Sequence, residues 1–139
     1  VFHPFLPNPR ALTTPNLADG NSYEIELVAA LDVSSFKTCA LVLRLHEGVD
    51  DLEVKLKAYN VWPFGDAVGV RFQDKETTAV ASTAVAIGLA DAGKLLTTTS
   101  PATIVAPALR IVAELKANGG IVQGGNLVTI SGGIVLLSR

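Results

Sequence analysis

Strict alternation of apolar and polar side chains recurs along this chain, and that is the pattern of a strand with one buried face. Ile25, Leu27, Ala29 and Leu31 alternate with Glu24, Glu26, Val28 and Ala30. Cys39, Leu41, Leu43 and Leu45 do the same against Ala40, Val42, Arg44 and His46, as do Leu52, Val54, Leu56 and Ala58 against Glu53, Lys55, Lys57 and Tyr59. Val68, Val70 and Phe72 set against Arg71 and Gln73, and Leu109, Ile111, Ala113 and Leu115 set against Arg110, Val112, Glu114 and Lys116, extend the series. Strands spaced roughly 8–12 residues apart with turn residues between them build a sandwich or a barrel. The expected fold is all-β, an antiparallel β-sandwich of jelly-roll type.

Turn chemistry divides these runs. Gly48 with Asp50 and Asp51 suits a short hairpin over residues 47–51, and Trp62, Pro63, Phe64 and Gly65 mark a loop, because Pro and Gly punctuate strands. Residues 77–90 are ambiguous between strand and short helix. Their β-branched Thr77, Thr78, Val80, Thr83, Val85 and Ile87 favour strand. Residues 97–107 read as extended loop or sheet edge. At the far end, Ser131, Gly132 and Gly133 are expected to turn the chain between a strand over residues 127–130 and another over residues 134–137. Residues 117–138 carry no charge but are broken by glycines and polar residues, so they read as strands and turns and not as a membrane span.

The first fifteen residues hold four of the seven prolines, Pro4, Pro7, Pro9 and Pro15, interleaved with Phe2, Phe5, Leu6 and Leu12. Proline fixes φ and biases its predecessor toward extended backbone, so this segment should run extended, outside helix and sheet. A disordered tail is poor in aromatics and rich in charge, whereas this one has two phenylalanines and only Arg10. The division expected is an arm over residues 1–20 and a sandwich domain over residues 21–139. Phe2, Phe5, Leu6, Pro7 and Leu12 are its candidate contact residues, docking on an adjacent subunit. Removing residues 1–15 should then leave the domain folded while weakening assembly.

No catalytic set emerges. Nucleophilic catalysis needs a Ser or Cys held beside a His by a third group, and Cys39 sits at the start of an apolar strand, where a thiol behaves as a small hydrophobe. The acidic loop His46, Glu47, Asp50 and Asp51 matches no calcium-loop spacing and reads as a solvated turn. Two histidines, His3 and His46, and one cysteine cannot complete a zinc set. Hence no enzyme activity, cofactor or metal is expected. Net charge is −2, which offers no footprint for a phosphate backbone, so no nucleic-acid partner is expected, and no membrane partner either. Tyr59, Trp62 and Phe64 form an aromatic group that would serve as a ligand or partner platform if displayed, or cap one end of the core if not.

Only 17% of residues are charged, and residues 77–109 hold just Asp91 and Lys94. Outer strand positions filled by Ala, Thr, Ser, Val and Gly fit a sheet packed against another subunit. The proline-rich arm, the run from Leu31, Asp32, Val33 and Ser34 into residues 36–45, and the short end segment 134–139 resemble small β-sandwich decoration and auxiliary proteins of tailed-phage virions. That resemblance implies a structural protein assembled with itself, a trimer first among the symmetries, and with a major capsid or other virion protein. It also implies a place in the virion after synthesis in the host cytoplasm. The other reading of the residues is an extracellular carbohydrate-binding module that uses Tyr59, Trp62 and Phe64.

Overall fold

The computed structural model describes residues 1–5, 9–65, 70–73, 79–83, 86–98 and 100–138; for residues 63–65 and 70–73 it describes the backbone alone. The strands are β1 (Phe2–Pro4), β2 (Arg10–Thr13), β3 (Ser22–Asp32), β4 (Thr38–Glu47), β5 (Leu52–Gly65), β6 (Val70–Gln73), β7 (Ala81–Ser82), β8 (Ile87–Gly88), β9 (Leu95–Thr97), β10 (Ala102–Thr103), β11 (Ala108–Ala117) and β12 (Leu127–Leu137). Among the described residues the only helical piece is the 3-10 turn Leu89–Asp91.

Every pairing is antiparallel, and the strands fall into two six-stranded sheets. In the first, β1 and β2 share one edge of β12, β4 follows, and β9 and β10 complete the far edge. In the second, β3 pairs β11, β11 pairs β5, and β6, β7 and β8 lie along the outer edge of β5. Fragments that share an edge act as one strand, so the chain's second strand run crosses to the second sheet and its third crosses back. That interleaving, with the first and last runs adjacent, is the jelly roll.

Alternation builds the core as the sequence implies. Cys39, Leu41, Leu43 and Leu45 of β4 face Leu52, Val54, Leu56 and Ala58 of β5 and Leu109, Ile111, Ala113 and Leu115 of β11 between the sheets, and all are buried. Strand β3 is half-buried at its sheet edge, with Glu24 and Glu26 exposed. At the β3–β4 corner the Asp32 carboxylate accepts hydrogen bonds from the Ser34 amide and hydroxyl at 3.0 and 2.7 Å, which lowers its pKa.

Three expectations are corrected, and a fourth stretch is refined. The link between β4 and β5 is no hairpin: these strands belong to different sheets, and residues 48–51 carry the chain over the end of the sandwich with Asp51 in the left-handed region at φ 63. Trp62–Gly65 is not a loop, since β5 continues to Gly65 and Pro63 pairs only toward β6 at the margin, where a missing donor is tolerated. Ser131, Gly132 and Gly133 make no turn; β12 runs straight through them because their small side chains admit other groups, as shown below. Residues 77–90 do hold strand, as the two short pieces β7 and β8, with the 3-10 turn beginning at Leu89 and residues 77, 78, 84 and 85 outside the described set.

The proline-rich segment is extended, but it joins the sheet. Phe2–Pro4 pairs with residues 133–135, and Arg10–Thr13 pairs with residues 127–130. Backbone bonds continue the attachment at Phe5 N to Gly132 O (3.0 Å), Thr14 N to Asn126 O (2.8 Å) and Leu17 N to Val122 O (2.8 Å). Prolines are admitted there because β1 and β2 form the outer edge, where one side of the backbone needs no partner. Arg10 also reaches the other sheet, its guanidinium donating to the Leu27 carbonyl at 3.1 Å and closing that side of the sandwich.

Candidate assembly surface

The outward face of the first sheet is built by alternation on β4 and β12. Thr38, Ala40, Val42, Arg44 and His46 point out from β4 because their neighbours Cys39 to Leu45 fill the core. From β12 come Ser131, Gly133, Val135 and Leu137. Register sets these into rows across the sheet: Phe2 beside Val135 beside Ala40, then Gly133 beside Val42 beside Thr97, then Ser131 beside Arg44 beside Leu95. Small residues therefore occupy the middle of the face and bulky ones its two rims, with Phe2 51% and Leu95 60% exposed.

The result is a trough of about 280 Å³ lined by Phe2, Val42, Arg44, Leu95, Ser131 and Gly132. Arg44 is the one full charge in the middle of this face, and Glu47, set opposite Thr129 by a bulge, stands exposed at the end of β4. Next to it, His46 Nε2 lies 2.5 Å from the Ser131 hydroxyl oxygen. The pair is solvent-exposed.

The outward face of the second sheet has the opposite chemistry. Glu24, Glu26, Glu53, Lys55, Lys57, Arg110, Glu114 and Lys116 are spread over it. Lys57 forms an ion pair with Glu114 across β5 and β11. Tyr59 donates its hydroxyl to Glu24 at 2.6 Å, reaching over the intervening β11, and the Arg110 guanidinium stacks 4.9 Å from the Tyr59 ring centre. Burial, joined by the Glu24 bond, pushes the Tyr59 phenol up to about 12.

The candidate residues named from the sequence are not brought together. Phe2 is on the apolar trough. Phe5 and Leu12 are 4% and 3% exposed inside the chain's own core, so their apolar surface is spent in cis and not on a neighbour. Leu6 and Pro7 lie outside the described residues. Tyr59 is buried in the network on the second sheet, and Trp62, three positions along the same strand, falls on the other face and is half-buried. The Phe64 side chain is outside the description. These rings thus do not share one displayed platform.

The acidic loop is also dispersed. Asp50, Asp51, Glu53 and Asp91 border an open recess of about 460 Å³, apart from His46. Within it Glu53 accepts from Asn118 at 2.8 Å and Asp91 from Lys94 at 2.8 Å. Among the described residues no group of three or more His, Cys, Asp or Glu is arranged to hold a metal. Burial pushes the Cys39 thiol up to about 11, which keeps it protonated and unreactive near neutrality. The sequence does not reveal the place of Leu95, because β9 is a three-residue strand too short to show periodicity.

No family model matches the chain, and no curated protein sequence matches it. Among solved structures it has a loose likeness to one described as "Structure of infectious bursal disease virus Gx strain", with a TM-score of 0.39 and 22% identity over 92% of this chain and 31% of that chain. The present chain therefore spans about a third of the length of the chain it matches.

Proposed function

We propose that this chain is a non-enzymatic structural protein of a virion or similar assembly, a decoration or auxiliary head or tail component that works through subunit contacts. One observation carries the reading: the middle of one sheet face of the jelly roll is apolar or small, its outward β4 and β12 positions bear full charge only at Arg44 and at Glu47 on the end of β4, and Phe2 and Leu95 are exposed at its rims. An outer face that meets only water normally carries charges throughout, as the second sheet does here. Covering Phe2 and Leu95 would contribute about 1.5–3 kcal/mol for each side chain fully buried, less the cost of ordering and of association.

Self-association, with a trimer as the expected species, comes first, and a larger virion protein is the second partner. The test is the native mass of the purified chain beside Val42→Asp and Leu95→Asp variants. Wild type should sediment as an oligomer, and both variants should shift to monomer with little change in Tm. A wild-type chain that stays monomeric at about 1 mM, which bounds association at roughly −4 kcal/mol, overturns the reading.

A further inference from the structure

The trough asks for a particular kind of occupant, and this chain displays one. Its apolar walls, Phe2, Val42 and Leu95, suit a branched aliphatic side chain, while Arg44 at one end suits a carboxylate beside it. The 3-10 turn Leu89–Asp91 presents that pair. None of its residues is buried, Leu89 is 45% exposed, and Asp91 lies around the same recess as Asp50 and Asp51. Asp91 keeps Lys94 on Oδ1, so its second oxygen and the Asp50 carboxylate are the acceptors on offer.

We propose that, within the self-assembly inferred above and resting on it, the trough of one copy receives the Leu89–Asp91 turn of a second copy, with Leu89 seated between Phe2 and Leu95 and the acidic group facing Arg44. Donor and acceptor surfaces differ, so the contact is heterologous. Repetition of such a contact closes a ring, such as the expected trimer, or continues as an open filament.

Charge reversal tests this with the full chain. Arg44→Glu sets a carboxylate against the acidic turn, and Asp50→Lys with Asp91→Lys sets lysines against Arg44. Each variant alone should need about tenfold or more protein for half-association in sedimentation, whereas one chain carrying all three substitutions should return to within about threefold of wild type, because every contact of a ring of any size then pairs opposite charges again. Leu89→Ser, which leaves every charge in place, should weaken association too, and a thermal scan of each variant verifies that the fold persists. Variants that associate as wild type does, or a triple variant that does not recover, overturn the assignment of the turn while the Val42→Asp and Leu95→Asp result still decides the underlying reading. A monomeric wild type overturns both.

Discussion

A methyl group added at Gly132 would lie 2.7 Å from the Val42 carbonyl oxygen and 3.4 Å from the Phe5 ring; one added at Gly133 would lie 2.5 Å from the Phe2 ring and 2.6 Å from the His3 carbonyl oxygen. These two glycines are extended residues valued for what they let in, and each admits one phenylalanine of the first fifteen residues. Gly132→Ala should cost about 1–3 kcal/mol by overpacking against backbone that cannot retreat, read as a lower urea midpoint. Gly133→Ala acts locally: hydrogen exchange should accelerate at Phe2 and His3 while the β4 and β11 amides keep their protection. Tyr59 supplies a pH test. Its phenol has a raised pKa in the fold, so its stabilising contribution is complete below the ordinary value of 10 and is lost as pH climbs through about 12. Tyr59→Phe should flatten that part of the stability curve, as followed by denaturant melts between these pH values.

Among the elements, the edge formed by β1 and β2 changes most in meaning between sequence and structure. With Phe5 and Leu12 inside the core, removal of residues 1–15 should destabilise the domain itself, contrary to the expectation from composition. Phe5→Ala alone should cost about 3–5 kcal/mol in a denaturant melt, the range for emptying a buried aromatic site. The long strands were legible because β4, β5 and β11 each bury one full face, which forces alternation into the sequence. Edge pieces such as β1, β9 and β10 were not, because two or three residues cannot display a period and their register is imposed by β12 and β4. Gly132 and Gly133 misled for a physical reason: a glycine needed for close approach looks, in sequence, like one needed for a turn. The trough was legible only as a shortage of charge, since Arg44, Leu95 and Ser131 come from three strands that register alone brings into one row.

At the scale of the whole molecule the two outer faces differ in kind, one salted with paired charges and the other nearly bare, which gives the roll a wet side and a side for contact. Lys116→Glu on the charged sheet should therefore leave the native mass unchanged, in contrast to substitutions in the trough, and sedimentation of both in parallel separates the sides. The arrangement also fixes an order of events. Strand β1 has its sheet partner in β12, and Val1 N donates to Leu136 O across 135 positions of sequence. Contacts of such separation close late and slow the folding of β-rich domains. During synthesis, which proceeds at about 5–20 residues per second, the opening segment must wait exposed until residues 127–137 emerge. Pro4, Pro9 and Pro15 suit that wait, because a strand punctuated by residues without amide protons is a poor template for the wrong partner.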